Sequence, residues 1–286
     1  MKIAVLSGKG GTGKTTLSTN LASVYGRGFL IDTDVEEPNG HLFLNVESMR
    51  EKAVYKSHPV VNLDKCDLCG DCGRFCHYNA ILPAKKDVLV FNEMCHDCGG
   101  CELVCPKGAI SYEKRIIGKI HLGEVSKMFK FAYGDLKVGE VSGVTIIETL
   151  RDYVEDENMV WIDSPPGTSC STVAAIEDVD FAIIVSEPTP FGVSDMTMVV
   201  EMLREKDIDF GVVVNKAGLG DDEIYRYCKT ESINILQEIP FRKDFAEKSA
   251  QGFLLCEISD EYRKMMDELL KNIIDRTSAE FKREDR

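Results

Sequence analysis

The sequence predicts a doubly wound, mostly parallel α/β sheet interrupted by a small, cysteine-rich α+β insert. Three observations predict it. An apolar run, a glycine turn, a helical repeat and a second apolar run follow one another over residues 2–32. That rhythm stops near Lys56 and resumes only after a long, turn-rich stretch. Within the stretch lie eight of the 11 cysteines, from Cys66 to Cys105. The expected division is residues 1–56 and 118–286 for the α/β domain and 57–117 for the insert.

The elements follow in order. Residues 2–6 (Lys-Ile-Ala-Val-Leu) are too few for a helix and are closed by Ser7-Gly8, which suits a buried strand. Leu17, Leu21 and Val24 recur at helical spacing between Thr15 and Tyr25, and residues 28–31 form a second strand ending at Asp32. Strand, turn, helix and strand in this order open a parallel sheet. From Ser57 to about Arg115 the apolar pieces are short, such as Val88 to Phe91, and an irregular stretch follows. Beyond it the pattern predicts a helix over 141–154 and a strand over 159–162 ending at Asp163. It then predicts a strand over 181–185, a helix over 194–206, and strands over 210–214 and 233–236. A final helix places Tyr262, Met265, Met266, Leu269, Leu270, Ile273 and Ile274 on one face.

Composition narrows the function. The chain has 286 residues, 34 basic against 48 acidic side chains, and a formal charge of −14. Residues 1–150 carry 18 of each sign, so the whole excess lies in residues 151–286, with 30 acidic and 16 basic. Nucleic acid is not an expected partner, because phosphate backbones demand a clustered basic surface. No apolar run reaches the ~18–20 residues of a membrane span. The N-terminal residues run into a glycine loop, not a cleavage site, and a cytoplasmic location is expected. In a reducing compartment the cysteines point to metal or redox chemistry instead of disulfides.

Gly8-Lys9-Gly10-Gly11-Thr12-Gly13-Lys14-Thr15 fits G-x-x-x-x-G-K-[ST] and sits between a strand and a helix. Glycines let such a loop wrap phosphate oxygens with inward N–H groups, and the helix N-terminus adds a favourable dipole. Lys14 is expected to reach the β- and γ-phosphates and the Thr15 hydroxyl to ligate Mg²⁺, with Thr16 also at the nucleotide. A chance glycine turn is the bland alternative, and the flanking strand and helix argue against it.

A second lysine, Lys9, lies early in the loop, and this KGGTGKT form resembles the deviant Walker A loop of the MinD/ParA/Mrp ATPases. The resemblance implies that Lys9 reaches the γ-phosphate held by a partner subunit, hence an ATP-dependent homodimer. Asp32-Thr33-Asp34 looks like the family's switch I, with Asp34 positioning the attacking water near Mg²⁺. Residues 160–167 (Val-Trp-Ile-Asp-Ser-Pro-Pro-Gly) resemble its Walker B and switch II element. There Asp163 would hold Mg²⁺ through water and Gly167 would offer an N–H to the γ-phosphate. Asn215, in Val-Val-Asn-Lys, resembles the residue that recognises the adenine amino group, and Pro240 and Arg242 lie in a segment like the one lining the adenine pocket. The turn Glu187-Pro188-Thr189-Pro190-Phe191-Gly192 resembles members that carry a cluster insert.

The cysteines form two runs of C-x2-C-x2-C-x3-C, Cys66-Cys69-Cys72-Cys76 and Cys95-Cys98-Cys101-Cys105, 29 residues apart. This is the spacing of a two-cluster bacterial ferredoxin, in which the fourth cysteine of each run ligates the other cluster. One [4Fe–4S] cluster is therefore assigned to Cys66, Cys69, Cys72 and Cys105, and the second to Cys95, Cys98, Cys101 and Cys76. His77 stands where the second run has Pro106, which removes no ligand. Zinc also takes paired C-x2-C motifs, but two tetrahedral sites need no crossed quasi-repeat. A segment this poor in apolar residues needs a staple, so the clusters support the insert whatever else they do.

The other cysteines fit no pattern. Cys170 lies seven residues after Asp163, as in the nitrogenase iron protein, but no matching ligand pair exists and a plain helix-start residue is expected. Cys228 and Cys256 are isolated, and the five histidines (41, 58, 77, 96, 121) form no metal spacing. The tail, residues 278–286, has mixed charge and does not suit a membrane helix.

Two main functional readings follow, beside that of a stand-alone ferredoxin-like carrier in which ATP only sets conformation. The first is a hydrolase that couples ATP-driven dimer switching to electron transfer or iron–sulfur cluster delivery. The second is a MinD/ParA-like switch for partner recruitment or positioning, with the clusters as redox sensor or structural staple. An oxidised cubane with four thiolates adds about −2. The expected redox partner or apo client protein therefore has a basic docking face.

Overall fold

A computed structural model describes residues 1–284. The tail 278–286 singled out above lies outside the side chains it describes. Its strands are β1 (Lys2–Leu6), β2 (Gly28–Asp32), β3 (Glu47–Val61), β4 (Ile81–Pro83), β5 (Val88–Val90), β6 (Ile110–Glu124), β7 (Phe129–Leu136), β8 (Val160–Asp163), β9 (Phe181–Ser186), β10 (Phe210–Ala217) and β11 (Ile235–Pro240). Its helices are α1 (Lys14–Tyr25), α2 (Asp71–Phe75), α3 (Gly100–Leu103), α4 (Val144–Tyr153), α5 (Cys170–Ala175), α6 (Pro190–Glu205), α7 (Glu223–Thr230), α8 (Lys243–Ala250), α9 (Leu255–Ile258) and α10 (Asp260–Glu284).

Nine strands form one sheet in the order β11-β10-β9-β1-β8-β2-β7-β6-β3. The pairings from β11 through β7 are parallel, and β7–β6 and β6–β3 are antiparallel. The fold is thus the expected mostly parallel α/β sheet, with an antiparallel edge added. Period-2 alternation divides the core. Ile3 and Val5 pack on the face covered by α1 and α10, with Leu17, Leu21, Met266 and Ile273. Ala4 and Leu6 pack on the opposite face with Ile146, Leu150, Met196 and Ile224 of α4, α6 and α7. Each fully buried large apolar side chain contributes about 1.5–3 kcal/mol relative to exposure, which is why these strands read as unbroken apolar runs.

The chain beyond residue 46 differs from expectation in one respect. β3 and β6 are 15-residue strands paired along nearly their whole length, and β7 joins them to the parallel strands. The expected insert limits, 57 and 117, therefore fall inside strands. The first six residues of β3, Glu47 to Lys52, are exposed on both faces and include Arg50, Glu51 and Lys52, so no apolar alternation marks that half. Past a bulge between Val54 and Tyr55 the ribbon runs on without β7, whose pairing with β6 begins at Gly118. It carries residues 62–109 at its tip, packed around Ile81, Val88, Cys101 and Ile110. Arg115 pairs with Glu140 and donates to the Asn92 carbonyl (2.6 Å), tying tip, ribbon and the loop before α4 together.

Two smaller shifts have local causes. α6 starts at Pro190, four residues before the expected helix, because Thr189 Oγ1 caps it by accepting from Gly192 N–H (3.1 Å) and proline suits the first turn. β11 starts at Ile235 and extends to Pro240, alongside β10, which itself reaches Ala217.

Candidate nucleotide and cluster sites

β1 delivers the glycine loop to the carboxyl edge of the sheet, where strand order reverses around β1 and ligands of open α/β sheets bind. Gly11 and Gly13 have φ of +78° and +92°, conformations that side chains resist. A Cβ on Gly13 would lie 2.4 Å from Asn215 Nδ2, and one on Gly8 would strike the Asp195 backbone at 2.3 Å. A Cβ on Gly10 or Gly11 would meet nothing within 4 Å. The loop is therefore pinned from behind and open in front. α1 begins without a side-chain cap, so its first N–H groups remain available to an anion.

Lys14 extends from α1 into a nest of carboxylates. Its Nζ lies 3.2 Å from Asp163 Oδ1, with the two side chains 8% and 1% exposed. Burial works against the ammonium, yet the charges of Asp163, Asp32 and Asp34 hold its pKa above the ordinary value. Asp163 Oδ2 is buried and has no partner among the described residues. A buried, orphaned carboxylate oxygen is the kind of donor that a hard, oxygen-seeking cation such as Mg²⁺ takes. Thr33 N–H and Oγ1 both donate to the Asp163 carbonyl (2.9 and 2.8 Å), joining the ends of β2 and β8.

Asp32 is the residue that sequence reasoning left without a role. It is fully buried, and its carboxylate accepts from the N–H groups of Gly40 (2.8 Å), Asn39 (3.0 Å) and Asp34 (3.1 Å). Burial, and then the charge of Asp163, push its pKa up to about 7. Burial likewise raises Asp34, which is half-buried at the cavity wall.

A cavity of about 880 Å³ opens in front of the loop. Of the expected nucleotide residues, Gly10, Gly11, Thr12, Gly13, Lys14, Thr15, Thr16, Asp34, Asn215, Pro240 and Arg242 line it. Gly8, Lys9, Asp163 and Gly167 stand outside that lining. Phe241, inside the segment expected at the adenine pocket, and Phe245, which the sequence did not single out, add apolar wall, and Arg242 stacks 4.1 Å over the Phe245 ring. Asn215 Nδ2 donates to the Thr12 carbonyl (2.7 Å) while its Oδ1 accepts from Lys216 N–H (2.9 Å). One further N–H and one lone pair remain on the amide for a base. Gly167 N–H donates to the Ser7 carbonyl (2.8 Å), so in this conformation it braces the loop's base.

At the end of the β3–β6 ribbon, Cys66, Cys69, Cys72 and Cys105 line one cleft, together with Val61, Pro83, Val88 and Ile110. These are the four thiols expected to share a cluster, including the one contributed by the second run. The two runs also repeat in backbone. Leu68 and Asp97, Gly70 and Gly99, and Asn79 and Gly108 all have positive φ, each pair 29 residues apart. Cys76 and Cys105 Sγ each accept an N–H from the residue four positions on, Ala80 (3.4 Å) and Ala109 (3.3 Å). Cys95 and Cys101 are buried, Cys98 is exposed, and Cys76 is partly buried. Cys101 Sγ lies 3.0 Å from Tyr112 Oη.

Among the described residues, no three His, Cys, Asp or Glu side chains converge on a point that would hold one metal ion. A zinc site would draw thiolates to about 2.3 Å from a single ion. A cubane instead takes one thiolate on each of four irons, so its ligands stand apart around a cleft. The four thiols that share the cleft are the donor type that such a cluster takes. Cys170 is exposed at the start of α5, and Cys228 and Cys256 are buried in the α/β core.

Comparison with known proteins bears on the nucleotide site and the fold. The family model of the CobQ/CobB/MinD/ParA nucleotide binding domain matches residues 3–255. An uncharacterised protein of Methanocaldococcus jannaschii is 33% identical over 96% of each chain. The iron-sulfur cluster carrier protein of the same organism is 24% identical over 95% of this chain and 84% of its own. The septum site-determining protein MinD of Pyrococcus horikoshii, solved with Mg-ADP, superposes with a TM-score of 0.59 at 18% identity, covering 95% of each chain.

Proposed function

We propose, for a chain that belongs to the CobQ/CobB/MinD/ParA nucleotide-binding family and is an ATPase, that ATP binding and hydrolysis are coupled to electron transfer or iron–sulfur cluster delivery through residues 57–117. The observation that carries this reading is the convergence of Cys66, Cys69, Cys72 and Cys105 on one cleft in a chain that also presents an open glycine loop. Similarity to an iron-sulfur cluster carrier protein supports it.

In this reading the loop N–H groups of residues 10–15 and the first turn of α1 bind the phosphates. Lys14 turns from Asp163 toward them, which releases the carboxylate for the metal. Mg²⁺ would be held by Thr15, Asp34 and Asp163 and would supply positive charge for the transferred phosphoryl oxygens. Asp34 orients the attacking water and accepts its proton. Asn215 binds the adenine edge, with Pro240 and Arg242 closing over the base. Lys9 reaches a second copy of the chain, and Gly167 exchanges the Ser7 carbonyl for the γ-phosphate. That exchange moves the segment after β8 and so reports nucleotide state.

Two [4Fe–4S] clusters would be held by Cys66, Cys69, Cys72 and Cys105 and by Cys95, Cys98, Cys101 and Cys76, and would supply one-electron chemistry. The chain's own part is to hold the thiolates apart and to donate backbone N–H groups to their sulfurs. The proposed partner is a redox protein or apo client with a basic docking face, in the cytoplasm. No helix of the described residues is long and apolar enough to cross a membrane.

The test is ATP turnover by anaerobically purified protein with the clusters oxidised and then reduced. Coupling predicts different rates in the two states, with electrons or clusters passing to an acceptor. Equal rates and no transfer would leave only the recruitment switch.

A further inference from the structure

Glu187 stands between two lysines at the mouth of the glycine loop. Lys9 Nζ lies 3.6 Å from its Oε2, and Lys216 Nζ pairs with its Oε1. Lys216 also donates to the Gly11 carbonyl (3.3 Å), so one carboxylate gathers two ammonium groups and one of them reaches back onto the loop itself. Glu187 is 13% exposed against 36% for Lys9. The anion is therefore better shielded than the cation that leans on it.

The backbone carrying Glu187 is wedged in place. Its carbonyl accepts from Thr189 N–H (2.8 Å), and a Cβ on Gly192 would meet that oxygen at 2.3 Å. The Pro188 carbonyl accepts from Asp221 N–H (3.2 Å), and a Cβ on Gly220 would lie 1.8 Å from it. On the other side, Lys216 has φ of +56°, with its N–H held by Asn215 Oδ1. Two braced turns, at the ends of β9 and β10, thus present a carboxylate and an ammonium to each other beside the loop.

We propose that Glu187 is a positioning residue of the phosphate site. In the nucleotide-free protein it serves as counter-ion to Lys9 and Lys216 and keeps both at the loop. A nucleoside triphosphate must draw these lysines away, exchanging one counter-ion for another without covalent change. With Lys14 on Asp163 and the other two sharing Glu187, two carboxylates offset two of the three lysine charges around the loop, so the site resists stray anions and yields to a polyphosphate. The assignment of Glu187 and Lys216 rests on the reading of the loop as an ATP site and adds to it a resting state.

The experiment compares MgATP affinity of wild type, Glu187→Gln and Glu187→Asp over a range of salt. Glu187→Gln is expected to bind about two- to fivefold more tightly at low salt, the size of a partly exposed ion-pair effect, with the gain shrinking as salt screens it. Glu187→Asp keeps the charge and stays near wild type. Unchanged or weaker binding by Glu187→Gln with normal thermal unfolding overturns the proposal. A second measurement uses the unaltered protein: acylation of Lys9 and Lys216 by an amine reagent, read by mass spectrometry without nucleotide. Both should react more slowly than Lys243, which is 84% exposed; equal rates overturn the proposal even if Glu187→Gln fails to fold. Wild type that binds no MgATP would sink the nucleotide reading, while slow acylation would still identify the clasp.

Discussion

Asp32 and Asp163 lie side by side in the same register row at the carboxyl ends of two adjacent parallel strands. Both are about 1% exposed, and Lys14 is the cation that reaches Asp163. Two buried carboxylates with one ammonium is an arrangement that favours keeping one proton. Burial, with Asp163 next, pushes Asp32 up to about 7 from an ordinary 3.8. The folded state therefore keeps a proton that the unfolded chain gives up, and this contribution to stability is lost as pH rises from about 4 through 7. Thermal unfolding of nucleotide-free wild type and Asp32→Asn across that range should show the wild type losing ground steadily. A constant difference between the two proteins would contradict the shift.

Lys14→Ala should abolish ATP binding, measured by calorimetry. It also strands the buried Asp163 charge, a change that costs about 3–5 kcal/mol when a buried pair is broken. Lowered stability without nucleotide should accompany the lost binding.

Asp34→Ala separates binding from chemistry. The variant should bind MgATP near wild-type strength and hydrolyse it at least about a hundredfold more slowly, the usual contribution of a positioned general base. Phosphate release at the wild-type rate would remove Asp34 from its assigned role.

Iron analysis tests the crossed ligation. Anaerobically purified protein should carry about eight irons per chain, and Cys105→Ser about four. The lost signal should match that of Cys66→Ser and differ from that of Cys95→Ser. If Cys105→Ser instead mimics Cys95→Ser, each run ligates its own cluster.

Cys228 and Cys256 are buried thiols, pushed up to about 11 by burial. A thiolate reagent at neutral pH should modify the exposed Cys170 and leave these two until the chain unfolds. Rapid labelling of either would mean that the core around α7 or α9 opens readily.

What was legible in the sequence follows from which contacts are local. Strands buried on both faces, such as β1, β8 and β9, appear as continuous apolar runs. The phosphate loop is a contiguous segment, as is each cysteine run. The long ribbon of β3 and β6 left no such trace, because the first half of β3 is exposed and rich in charge and only Val54 and Pro59 of it are buried. The same polarity hid α7 and α8, which bury only Ile224 and Cys228 and only Phe245, respectively. Asp32 was visible at a strand end, but its burial depends on a fold-back that brings Asn39 and Gly40 onto its carboxylate. Glu187 and Lys216 are 29 residues apart and meet because β9 and β10 are neighbours, with Ser186 paired to Val214. No single-strand pattern could announce that pair.

The central claim is that nucleotide state and cluster state are linked. Anaerobic redox titration followed by electron paramagnetic resonance, with and without MgATP, tests it most directly. A linkage that changes ATP affinity about tenfold on reduction requires a potential shift of ~59 mV for a one-electron couple. The account predicts a shift of that order in at least one cluster, lost in Lys14→Ala. Identical midpoints and spectra in both conditions would contradict it.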